Sequence, residues 1–154
     1  MEQLKLVLLP LSLGLASCAA VAQHTARPSV EHYQREGSRA PFSPAVRAGD
    51  NVYVSGMIGA RPDGTFPDGI EAQARQAMDN IKMALGMAGL GFGDVVKCTV
   101  MLENIDDWPA FNRIYVTYFE PGRLPARSAF GVDGLALGSL VEIECQAYAP
   151  EPRR

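Results

Sequence analysis

The chain has 154 residues, 47% of them hydrophobic and 20% charged, with a formal net charge of -3. This is the composition of one ordinary globular domain. It speaks against a nucleic-acid surface, because no basic run or basic-aromatic stripe is present.

The first stretch reads as targeting rather than fold. Lys5 supplies a thin positive region, weakened by Glu2, and residues 6–13 are an apolar run too short to span a bilayer. Residues 1–17 are expected to be a secretory signal peptide. Two cleavage sites compete. Leu15-Ala16-Ser17-Cys18 is similar to a bacterial lipobox, which would make Cys18 the acylated first residue of the mature chain. Ala20-Val21-Ala22 offers an ordinary small-residue site, with cleavage after Ala22. The lipobox is preferred, since a cysteine so placed is otherwise unexplained. A lipid on Cys18 would hang the protein from a membrane face without crossing it. Ala19, by similarity to bacterial lipoproteins, implies a periplasmic protein held at the outer membrane. Residues 18–38 are then a flexible tether, polar and without a sustained period. Both histidines, His24 and His32, fall in it. The domain proper, residues 39–150, is thus expected to lack a histidine base or metal ligand. Residues 151–154 are a tail.

Ala45-Val46-Arg47-Ala48 predicts a short strand, turned by Gly49-Asp50-Asn51 into Val52-Tyr53-Val54-Ser55. Gly56 sits at that strand's end, where glycine often marks a close approach by a backbone or ligand. Pro62-Asp63-Gly64 is a turn. Asp68 and Glu71 suggest a capping box for a first helix. Its apolar face is Ile70, Ala74, Ala77, Met78, Ile81, Leu85 and Ala88, and Gly89 is its stop. Residues 95–102 alternate as a strand. Asp106-Asp107 offers an N-cap and Pro109 a first-turn residue for a second helix. Its aromatic face, Trp108, Phe111, Tyr115, Tyr118 and Phe119, is read as core packing. Residues 126–132 and 140–149 are the last two strands. The order β-β-α-β-α-β-β predicts a single α+β domain, with two helices on one face of a mixed sheet. Cys98 and Cys145 lie on alternating strands among apolar neighbours. The favoured reading is a pair of buried thiols acting as small hydrophobes. Export would permit a disulfide. A thiol nucleophile would lack a histidine to activate it.

The chemistry concentrates in Leu124-Pro125-Ala126-Arg127-Ser128-Ala129-Phe130 and in the strand around Val141-Glu142-Ile143-Glu144. Burying part of an arginine is costly unless it holds an anion, and its planar fork suits a carboxylate. A glutamate that can handle water completes a minimal hydrolytic pair, Arg127 with Glu142. The alternative is structural, with Glu142 pairing Arg127 or Lys97.

Pro125-Ala126-Arg127-Ser128 resembles the signature of the RidA/YjgF family of reactive-intermediate deaminases. Val54-Ser55-Gly56, the run from Ala72 to Ile81, Val95-Val96-Lys97-Cys98-Thr99-Val100, Phe111-Asn112-Arg113-Ile114-Tyr115 and Val141-Glu142-Ile143-Glu144 follow in the family's order. The resemblance implies a chorismate-mutase-like fold, a homotrimer with sites between subunits, and no cofactor or metal. It implies hydrolysis of 2-enamine and 2-imino acids to 2-keto acids and ammonia. Arg127 matches the carboxylate-binding arginine and Glu142 the water-handling glutamate. Ser55 and Gly56 match a pocket wall, and Asn112 a polar residue at the cleft edge. Ala129 stands where relatives often carry cysteine, so only its backbone can serve. Phe42 is aligned with a usual tyrosine, and Met57 replaces a frequent glutamine. The rival readings are a non-catalytic trimer that binds a small carboxylate or a partner, and an endoribonuclease.

Overall fold

The computed structural model describes residues 30–150. The alternating runs form one six-stranded sheet: β1 (Val30–Tyr33), β2 (Ala45–Ala48), β3 (Asn51–Ile58), β4 (Val95–Leu102), β5 (Ala126–Gly131) and β6 (Val141–Tyr148). The amphipathic segments form α1 (Ile70–Met87) and α2 (Trp108–Tyr115), the latter prolonged by a 3-10 turn over Val116–Tyr118. The spatial order is β1-β2-β3-β6-β4-β5, with β4 and β5 parallel and the other neighbours antiparallel. This is the single mixed α+β domain that the residue pattern predicts.

The strict alternation of β6 sorts its side chains. Val141, Ile143, Cys145 and Ala147 are buried, while Glu142 and Glu144 face the other way. Ala74, Ala77, Met78, Ile81, Ala84 and Leu85 of α1 cover that inner face with no residual exposure. Burial of each large side chain contributes roughly 1.5–3 kcal/mol. One polar contact sets where β6 begins: the buried Gln73 Oε1 accepts from the Leu140 amide at 2.9 Å and from Ser139 Oγ at 3.3 Å. Gly89 closes α1 with φ +72°, letting the Leu90 amide reach Leu85 O at 2.9 Å.

Four expectations change. First, β1 lies inside the stretch expected to be tether. Its residues are mostly exposed, so they carry no burial signal, and the strand exists through its ladder to β2. The folded unit therefore begins by Val30, and His32, opposite Val46, belongs to it. His24 and Cys18 lie outside the described residues. Second, Gly69, with φ +77°, caps α1 without any side-chain bond, so Asp68 and Glu71 form no capping box. The loop before α2 is capped by Asn104, whose side chain accepts from the Asp106 amide, rather than by the aspartates. Third, Gly56 is not at a strand end. It sits within β3, at a bulge between Val54 and Met57. Fourth, Cys98 and Cys145 face each other across β4 and β6, with Cα atoms 4.1 Å apart, and form a disulfide. The ladder register puts both sulfurs on the buried face, a proximity that sequence alone does not reveal.

Candidate active site

Arg127 stands on the edge strand β5, paired with Cys98 across the parallel ladder. Cys98 points under the helices, so Arg127 does too. Helix α2 meets it with Trp108, Asn112 and Tyr115, spaced i, i+4 and i+7 along one stripe. The guanidinium carbon lies 4.4 Å from the Trp108 ring centroid and 4.4 Å from that of Tyr115. Those rings are two helical turns apart, so the cation is held between them. Each such contact is worth about 0.5–2 kcal/mol. Nη2 donates to Asn112 Oδ1 at 2.9 Å. Nη1 is buried and has no partner, and the Tyr115 hydroxyl is likewise buried and unpartnered.

Burial draws the guanidinium below its ordinary value, with Tyr115 opposing the shift. The Tyr115 phenol is pushed up to about 12 by burial, against the pull of Arg127. At neutral pH the site therefore holds a cation beside a protonated hydroxyl. Two cavities flank the arginine. One of about 610 Å³ is lined by Ile105, Asp106, Trp108, Pro109, Arg127 and Ala129. The other, about 240 Å³, is lined by Asn112, Tyr115, Val116, Leu124, Pro125 and Arg127. A clamped guanidinium with an unspent buried donor, between two cavities, is suited to receive a carboxylate.

Glu142 lies elsewhere. It stands between Val141 and Ile143, both fully buried, and so projects from the opposite face of the sheet. Its ladder neighbours are Ile58 and Met101. A Cβ at Gly56 would overlap Glu142 Oε1 and lie 2.9 Å from its Cδ, so the glycine makes room for the carboxylate. Ser55 donates its hydroxyl to the Ser43 carbonyl at 2.7 Å, which ties the bulge to the preceding loop. The ion pairs among the described residues are Arg113–Glu71 and Arg123–Glu120, so Glu142 pairs with neither Arg127 nor Lys97. Lys97 instead donates to Ser128 Oγ at 2.7 Å.

The structure thus brings Arg127, Asn112 and Ala129 together, and separately Ser55, Gly56 and Glu142. Within one chain it does not join Arg127 to Glu142, because the sheet lies between them. Phe42 is in a third place, in a cavity of about 320 Å³ against α1 that also includes Met57 and Met83. His32 is on β1, the sheet edge farthest from Arg127. Trp108 and Tyr115 were expected only as core. Tyr115 is core, yet both rings also hold the arginine. The available signal was their spacing around Asn112 on one helix stripe.

Comparison with known proteins gives the family and the fold. Residues 33–149 match the family model described as Endoribonuclease L-PSP. The chain belongs to this family, also called RidA/YjgF. A mouse protein named 2-iminobutanoate/2-iminopropanoate deaminase is 43% identical over 109 residues, covering 70% of this chain and 80% of that protein. The crystal structure of YyfA from Yersinia pestis, described as a member of the conserved Rid protein family of unknown function, superposes with a TM-score of 0.74 at 34% identity. It covers 79% of this chain and 100% of that one. The YjgF gene product of E. coli superposes with a TM-score of 0.72 at 33% identity, covering 77% of this chain and 98% of the other. Imine deaminase activity is therefore present in the family of this chain.

Proposed function

We propose that this chain hydrolyses reactive 2-enamine and 2-imino acids to 2-keto acids and ammonia. The observation that carries the proposal is the Arg127 guanidinium, aligned by Trp108, Tyr115 and Asn112 and left with a buried donor unspent. The arginine takes the substrate carboxylate and so fixes the imine carbon. Water adds its oxygen to that carbon and gives up a proton to Glu142. Glu142 passes that proton to the nitrogen. The carbon–nitrogen bond breaks as the added hydroxyl loses its proton and becomes the keto oxygen, and keto acid and ammonia leave. A 2-enamine first takes a proton at C3 to give the same imine. The protonated imine carbon is already electrophilic, so the proposal assigns no cofactor and no metal.

Arg127 and Glu142 can act on one substrate only if they come from different copies of the chain. The proposed assembly is a homotrimer, with the polar sheet faces turned inward and a site in each cleft between subunits. Ser55 and Gly56 would then belong to the wall that carries Glu142, and Asn112 and Ala129 to the wall that carries Arg127. Phe42 would line the cleft only through a neighbouring copy. The proposed location is periplasmic, with Cys18 as a lipid anchor. The Cys98–Cys145 disulfide favours an oxidising compartment.

The separation of Arg127 from Glu142 in one chain favours a second reading, a trimer that binds small carboxylates without turning them over. Keto-acid release from freshly generated 2-imino acids distinguishes the two. Release faster than buffer supports the deaminase. Carboxylate binding with no release supports the binder. The endoribonuclease reading gains a histidine, since His32 belongs to the fold, but that exposed residue stands at the sheet edge away from the arginine.

A further inference from the structure

Two buried polar atoms among the described residues have no hydrogen-bond partner, Arg127 Nη1 and the Tyr115 hydroxyl. Both residues line the same cavity of about 240 Å³. Tyr115 is 2% exposed, so its hydroxyl has little access to solvent to offset what it lacks in partners. An orphaned buried hydroxyl is unfavourable, and a phenylalanine at this position would avoid that cost. The tyrosine therefore weakens the free domain unless something in the cavity accepts from it.

The third lining residue with a polar side chain is Asn112. Its Oδ1 is taken by Arg127 Nη2, which turns its amide nitrogen into the group still able to donate. The polar residues that line the cavity thus carry one cationic, one phenolic and one amide donor, the first two covered by protein in the free chain, and among the lining side chains there is no carboxylate. Val116, Leu124 and Pro125 supply the apolar remainder. A carboxylate has two oxygens and about four acceptor sites, which matches this set. The phenol is protonated at neutral pH by its ordinary chemistry, and burial only pushes its pKa further up, to about 12, so it is a donor there.

We infer that Tyr115 is a substrate-binding residue of the carboxylate clamp, its hydroxyl donating to the same substrate carboxylate that Arg127 holds. The inference rests on the reading of Arg127 as a carboxylate receptor and adds a second donor to it. It also assigns the carboxylate to the smaller cavity, which leaves the larger one, beside Trp108 and Ala129, for the rest of the substrate.

Tyr115→Phe removes one oxygen and leaves the ring against the guanidinium. Two readouts are needed: affinity for 2-oxobutanoate by calorimetry, and thermal stability of the ligand-free protein. Loss of one hydrogen bond to a charged group should weaken 2-oxobutanoate binding about 10-fold or more, raise KM in parallel and leave kcat nearly unchanged. The free variant should melt at the same temperature or higher. A purely structural tyrosine predicts unchanged affinity, and that result overturns the inference. A lower melting temperature also overturns it, because the hydroxyl would then have a partner within the fold. Arg127→Lys, measured beside it, separates the two levels. If Arg127→Lys loses affinity and Tyr115→Phe does not, only the tyrosine assignment fails. If wild type does not bind, or Arg127→Lys binds as wild type does, the carboxylate reading fails as well.

Discussion

Arg127 and Glu142 project from opposite faces of one sheet. The first lies against Trp108 and Tyr115 under the helices, and the second lies over Gly56 on the open side. Neither residue alone can both hold a carboxylate and activate water. The functional proposal therefore depends on two chains meeting, and the roles of the two residues separate cleanly under mutation.

Arg127→Lys keeps the charge but loses the planar fork that fits between two rings. Carboxylate affinity should fall by about 2–5 kcal/mol if the pair is desolvated. Glu142→Gln keeps the shape and removes the base. It should leave 2-oxobutanoate affinity near the wild-type value while kcat drops about 10²-fold. Calorimetry and keto-acid release on both variants check the split. Equal losses of affinity in the two would show that the division of roles is wrong.

Gly56 is tested by its own clash. Gly56→Ala places a methyl on Glu142 Oε1, so the carboxylate or the bulge must shift. The atom met is the far end of a flexible side chain, so denaturant unfolding should change by no more than about 1 kcal/mol, while displacement of the carboxylate should cost turnover. Glu142→Ala removes the obstacle, so the double variant should be less destabilised than the sum of the singles. Simple additivity would mean that the two residues do not press on one another.

The sheet and both helices were legible because their patterns are strong. The alternation of Val141, Ile143, Cys145 and Ala147 and the helical spacing of Ala74, Ala77, Met78 and Ile81 each bury as expected. What was not legible depended on pairing between distant segments. β1 is four residues long and mostly exposed, and it forms by matching Val30 to Ala48 and Tyr33 to Ala45. The disulfide depends on a ladder register across 47 residues. The site was half legible. Arg127 and Glu142 stood out as residue types, but which face each takes follows from counting along β5 and β6 from their buried neighbours. Family resemblance implies roles for them but carries none of that geometry.

The disulfide should be measurable in protein isolated from its native source. Alkylation under denaturing, non-reducing conditions should find Cys98 and Cys145 blocked, and reduction should free both. Replacing both by alanine should cost about 4 kcal/mol by the chain-entropy relation for the 47-residue separation. Two free thiols in the native protein would argue against an oxidising compartment.

The proposed anchor predicts that the native protein fractionates with membranes and carries acyl mass on Cys18. Cys18→Ser should release the protein or block its processing. A mature N-terminus at Gln23 would instead mark ordinary cleavage after Ala22.

The central claim is that each site takes Arg127 from one chain and Glu142 from another. Arg127→Ala and Glu142→Gln subunits, each inactive alone, should be unfolded together, refolded as a one-to-one mixture and assayed for keto-acid release, with assembly mass checked by light scattering. Random mixing in a closed trimer restores a complete Arg127–Glu142 pair at about one interface in four, so roughly a quarter of wild-type activity should return. If the mixture assembles into trimers and stays as inactive as its components, the two residues do not share a substrate and the proposed inter-subunit site is wrong.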